Sequence, residues 1–292
     1  MAYRFRRKDR SVEHALRRIA REQVDKAVSS IDDEEDQAAT IHDVRRRCKK
    51  LRGLIRLVGL SFEAYRDENA DFREIGKLLG GLREARVLKD TFDHLAESYE
   101  QIDPQSRREF RRALQTQHQV DHPAQRLAEA RERLLEARRR IGDWTLAADG
   151  WEAIGPGLMR TAIRARTALE RIGGSHAPGL HHELRKQVKY HWHHMRLLRP
   201  IAPKEIKPRA DLAAELSDRL GEHHDLAVLE DALRGDPGAY GNPHDVEAVL
   251  VLARRHRVLL EEQCLRLTRH LVAGGAESLT ERLGSEWAAW RG

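Results

Sequence analysis

One cationic pattern with helical spacing is written twice in this chain: His42, Arg45, Lys49, Arg52 and Arg56 in the first half, then His182, Arg185, Lys189 and Arg196 at matching steps in the second. At about 100° of rotation per helical residue, offsets of 0, 3, 7, 10 and 14 fall within an arc of roughly 80°. Each set therefore forms one stripe. Val44, Cys48, Leu51, Ile55 and Val58 recur at three- and four-residue steps on the opposite side, as they do in an amphipathic helix docked on a core. Leu184, Val188, Met195 and Leu198 repeat the arrangement. Neither stripe has counter-charge, because no Asp or Glu occurs from 44 to 62 or from 184 to 204. A solvated face normally mixes its signs, since acid–base pairs three or four residues apart stabilise a helix by about 0.2–0.5 kcal/mol. Two unneutralised rows predict a cradle for a polyanion.

A second motif repeats at the same spacing. Leu79, Gly80, Arg83, Glu84, Val87 and Leu88 correspond to Leu220, Gly221, His224, Asp225, Val228 and Leu229. The stripes are offset by 140 residues and this element by 141, so one inserted residue aligns both. Two motifs at one spacing predict a duplicated four-helix unit, with halves at 1–145 and 146–292.

Only 5% of residues are aromatic and 34% are charged, a balance that suits helices and gives strands little support. The expected fold class is all-α. Eight long helical patterns and a short terminal one follow, the first four over 11–31, 37–58, 69–99 and 104–140, the last of these with a bend at Pro123. A Gly- and Trp-rich stretch at 142–157 reads as the joint between halves. Helices are expected to resume at Pro156, Pro178, Pro208 and Pro243, and Gly274 and Gly275 to close the eighth. Leu279, Leu283, Trp287 and Trp290 suit a terminal amphipathic piece packed on the bundle. Cys48 and Cys264 read as buried, reduced thiols. With neither a leader nor a membrane-spanning stretch in the sequence, the expected location is the cytoplasm.

The segments "IHDVRRRCKKLRGLIRL" and "HELRKQVKYHWHHMRLL", each followed by a Leu-Gly-x-x-(Arg/His)-(Glu/Asp) element, resemble the two repeats of a CHAD domain over nearly the whole chain. The resemblance implies two pseudo-symmetric four-helix bundles around a central basic groove, inorganic polyphosphate as ligand, and no reaction of its own. It also makes association with polyphosphate granules an expectation. Departures fall mainly in the second repeat. Trp192 stands where the family pattern has Arg and is followed by His193, and His224 replaces Arg; in the first repeat Glu84 replaces Asp. The second half should thus supply less fixed and more titratable charge. Family members are often fused to a strand-rich triphosphate tunnel; these 292 residues contain none, so the chain reads as a stand-alone binder.

Chemistry points to the same ligand class. Guanidinium and ammonium groups replace the counterions of a linear polyphosphate, Arg as planar forks and Lys as compact charges. His42 and His182 would add hydrogen bonds that strengthen below about pH 6.5. The stripes hold little Tyr or Phe, so an aromatic stacking platform for single-stranded nucleic acid is not expected. Arg17 and Arg21 beside His14 on the first helix, Arg160 and Arg164 on the fifth, and Arg83 and His224 in the Leu-Gly elements extend the candidate set. His181, His182, His191, His194, His223 and His224 cluster in sequence, but their spacing matches no metal motif, and no metal or cofactor is expected. The alternatives are a nucleic-acid-binding helical protein and a metal-dependent phosphohydrolase, the latter disfavoured by the acid-free stripes.

Overall fold

The computed structural model describes residues 3–33, 36–99, 104–117, 122–174 and 179–292, with backbone only at 82–85, 115, 117 and 174. Among the described residues there are eleven α-helices and no strand: α1 (Val12–Asp32), α2 (Gln37–Leu57), α3 (Tyr65–Leu78), α4 (Gly81–Ser98), α5 (Pro104–Gln117), α6 (Pro123–Arg140), α7 (Gly150–Gly174), α8 (Leu180–Leu198), α9 (Pro203–Gly235), α10 (Pro243–Val272) and α11 (Ala276–Arg291). None is long and apolar enough to cross a bilayer.

Caps place the first two helices where the sequence puts them. Ser11 Oγ accepts from His14 N at 3.0 Å, and Asp36 Oδ1 accepts from Ala38 N at 2.8 Å. Two expected helices divide in two. The span 69–99 breaks at Leu79–Gly80, and 104–140 breaks ahead of Pro123, which begins α6. Two other helices start earlier than their prolines predict. Pro156 lies inside α7 and Pro208 inside α9, both at exposed positions. Pro178 lies outside the described residues. Pro243, Gly274 and Gly275 fall at the expected helix ends, and α11 buries Leu279, Leu283 and Trp287.

The core does not resolve into one bundle per half. One apolar cluster joins α1, α2, α3 and α6 to the start of α7, the end of α8 and α11. A second joins Leu88, Phe92 and Phe110 of α4 and α5 to Leu226, Leu229, Val249 and Leu260 of α9 and α10. The third lies among α7 to α10. Hydrophobic packing therefore crosses residue 145, because the apolar faces of α4 and α5 are covered by helices of the second half. Cys48 and Cys264 are both free and buried, and burial pushes each thiol up to about 12.

Candidate functional site

α2 and α8 cross at Gly53. A Cβ there would lie 2.8 Å from His193 Cβ, and the Gly53 carbonyl lies 3.1 Å from His194 Nε2. Only a residue without a side chain lets the backbones approach this closely. The crossing sets the two stripes side by side, and His42, Arg45, Lys49, Arg52, Arg56, His182, Arg185, Lys189 and Arg196 all line one cleft of about 1080 Å³. Its walls come from α2, α3, α4, α8, α9 and α10. Eleven lysines and arginines line it against four carboxylates, Asp90, Asp218, Glu222 and Asp225.

α3 holds part of the first stripe in place. Arg45 Nη1 donates to the Gly76 carbonyl, and Arg52 Nε donates to Asn69 Oδ1 at 3.2 Å. The Leu-Gly element packs beside a stripe arginine in each repeat. A Cβ on Gly80 would stand 3.4 Å from Arg45 Nη1 and only 2.8 Å from the Lys77 carbonyl oxygen, so the turn there demands glycine, whereas one on Gly221 would meet Arg185 Nη2 at an ordinary 3.7 Å.

Aromatic rings seat the remaining cations. Arg56 Cζ lies 4.1 Å from the Tyr190 ring centroid, while Lys189 Nζ and Arg196 Cζ lie 4.4 and 4.7 Å from that of Trp192. Trp192 thus replaces a charge but positions two others. Tyr190 and Trp192 both line the cleft, and each ring is engaged by a cation.

Burial dominates the electrostatics. It holds Lys189 below its usual range, aided by Arg185 and Arg196 and opposed by Asp218. Burial, then Arg185 and Lys186, also holds His182 low, so its protonation needs a lower pH than a free imidazole would. Arg46 and Lys50 were not in the expected stripe but line the cleft. Their steps on α2 place them just outside the stripe's arc, on the side toward α8. Of the acids, Asp225 was read as part of the Leu-Gly element, but Asp218 and Glu222 were missed. The three stand at three- and four-residue steps on α9, a signal as regular as the stripe's own.

Other expected residues lie elsewhere. Arg17 and Arg21 line a separate hollow with Glu13, Glu22 and Asp25, and Arg17 donates to the Trp144 carbonyl and pairs with Glu13. The structure does not bring them to the cleft. Arg160 and Arg164 share a small pocket with Arg56, at the end of the first stripe. His224 packs against His182, ring centroids 5.1 Å apart, and burial followed by Arg185, His182, His223 and Lys49 pushes it down to about 4. The Arg83 and Glu84 side chains lie outside the described residues. His191, His193 and His194 are buried; His193 lines the cleft at the α2–α8 crossing, and His194 faces the Gly53 carbonyl.

A sequence model described as the CHAD domain matches residues 10–234. Among solved structures, the chain is similar to the crystal structure of the CHAD domain from the plant Ricinus communis, with 19% identity and a TM-score of 0.59 over 93% of this chain and 96% of that one. At that identity the likeness concerns the fold. No curated protein matches the sequence.

Proposed function

The chain belongs to the CHAD domain family, and on that premise we propose that the cleft binds inorganic polyphosphate without breaking it. The observation that carries this reading is the meeting of nine stripe residues, from helices 140 residues apart in sequence, along one cleft. A linear polyanion laid there exchanges its counterions for fixed cations and gains from their release. Arg45, Arg52 and Arg185 offer planar forks to phosphate oxygens, and Lys49 and Lys189 add point charges. Fixing these groups on α3 and on the rings of Tyr190 and Trp192 lowers the side-chain entropy lost on binding. A cell holding polyphosphate granules would find this chain associated with them.

The test is the affinity of the full chain for long-chain polyphosphate over a salt series, with duplex DNA as competitor. Arg45→Ala with Arg185→Ala should weaken binding by about 3 to 6 kcal/mol, at about 1.5–3 kcal/mol for each charged contact. Arg131→Ala with Arg138→Ala removes two exposed arginines paired with Asp32 and Asp25 and should leave binding nearly unchanged. Equal losses in the two double variants would refute the cleft, and a preference for duplex DNA would favour the nucleic-acid reading. Phosphate release in the presence of magnesium would overturn the non-catalytic reading.

A further inference from the structure

We propose that His94, Glu222 and His256 form a binding site for a zinc-class divalent cation in the wall of the cleft. The three residues come from α4, α9 and α10 and are far apart in sequence, so no ligand spacing announces them; only the fold brings them together. Their donor atoms lie within 4.8 Å of one another. Glu222 Oε1 is 2.8 Å from His256 Nε2 and 3.4 Å from His94 Nε2. Zinc bonds of about 2.0–2.1 Å place tetrahedral ligands about 3.3 Å apart, so small side-chain shifts complete the set.

The surroundings fit a metal ligand set. The imidazole rings of His94 and His256 stand at 87° with centroids 6.3 Å apart, so both can aim Nε2 at one point. His256 Nδ1 lies 3.2 Å from Tyr99 Oη. With a cation on Nε2, that Nδ1 carries the proton and donates to Tyr99, the kind of outer contact that fixes a ligand ring. His94 is 63% exposed, Glu222 30% and His256 20%, so an ion can enter from solvent. All three residues line the cleft. Two imidazoles and one carboxylate select zinc, cobalt or nickel over magnesium or calcium, which take oxygen ligands. The other such cluster, His181, His223 and Glu261, is a poorer seat, because Arg257 Nη2 stands 3.9 Å from Glu261 Oε1 and brings a competing positive charge.

The site stands independently of the polyphosphate reading and is tested with the metal alone. Zinc titration of the full chain against a chromophoric zinc indicator should show one strong equivalent. His94→Ala and Glu222→Ala should each weaken it by at least about tenfold, and Tyr99→Phe by about tenfold or more through the outer contact. His181→Ala with His223→Ala should leave it intact. Cobalt should give the visible spectrum of a low-coordinate centre, and His94→Ala should abolish it. His94 is largely exposed, so the variant keeps the core, and circular dichroism checks that it does. Absence of a strong zinc equivalent, or a zinc equivalent indifferent to His94→Ala but lost in the His181/His223 variant, would overturn the assignment.

Discussion

Lys50 shows how a single side chain can carry opposite pH effects. It is buried on the cleft wall between the two stripes, and burial, followed by Arg47, Arg196 and Arg46 against a weaker pull from Asp43, pushes its ammonium down to about 8. In the ligand-free chain the unfolded state holds that proton more tightly, so stability should rise with pH between about 8 and the ordinary 10.5. Binding of a polyanion runs the other way, since the cation it meets is lost as pH passes about 8. At constant ionic strength, polyphosphate affinity should fall by up to about tenfold from pH 7 to pH 9, the most that one proton released at about 8 can carry over that window. Lys50→Arg should flatten the profile, because guanidinium does not titrate there. A Lys50→Arg chain that follows the wild-type curve would assign the effect elsewhere. The nine stripe positions were legible because a period of 3.6 needs no tertiary information. Lys50 was not legible, since its exposure to the cleft depends on where α8 crosses α2. Trp192 was legible only as a missing charge, because its contacts with Lys189 and Arg196 require the folded helix.

Helices were readable where local chemistry ends them. Ser11 and Asp36 cap α1 and α2, Pro243 opens α10, and Gly274 and Gly275 follow its end. The breaks within 69–99 and 104–140 were harder to read, since apolar periodicity continues across Leu79–Gly80 and a proline alone does not say whether a helix bends or stops. The same Leu-Gly step lies inside unbroken α9 at Leu220–Gly221, whereas Gly80 is followed by Gly81 and the chain turns. Glycine inside a helix also gives the element-scale prediction. Gly53→Ala gains about 1 kcal/mol of helix propensity but presses a methyl group on the buried His193, and overpacking costs about 1–3 kcal/mol. A methyl group added at Gly173 in α7 would meet nothing within 4 Å, so Gly173→Ala keeps the propensity gain alone. Urea denaturation should find the first substitution destabilising and the second stabilising. Gly53→Ala should also weaken polyphosphate binding as the stripes move apart. Equal stability changes in the two variants would mean that the α2–α8 crossing is not tightly packed.

Across the whole molecule, duplication in the sequence does not translate into two independent cores. The repeat was legible from two motifs at one spacing, but the packing of α4 and α5 on α9 and α10 was not, because amphipathic faces do not name their partners. That packing walls the cleft on one side, while α8 is buried between α2, α7 and α9, leaving His191, His193 and His194 buried. Burial is the main cause holding all three below their usual range, His194 down to about 3 and the other two well below 6.5. Nearby Arg209 adds to the effect on His191, and Lys189 and Arg196 add to it on His193. In the unfolded chain these imidazoles titrate near 6.5, so below that pH the unfolded state binds more protons and the folded state loses ground. Each contributes about 1.4 kcal/mol per pH unit, and His181, His182, His223 and His224, also held low by burial, act in the same direction. Ion pairs such as Asp9–Arg18 act at lower pH, because their carboxylates must be protonated before they fail. The urea midpoint of the ligand-free chain should therefore be level between about pH 7 and 8 and fall steeply from about 6.5 to 5, ahead of any carboxylate transition. A midpoint that stays level through that lower window would mean that these histidines meet water or take up protons in the folded chain, and that the core around α8 is looser than its packing indicates.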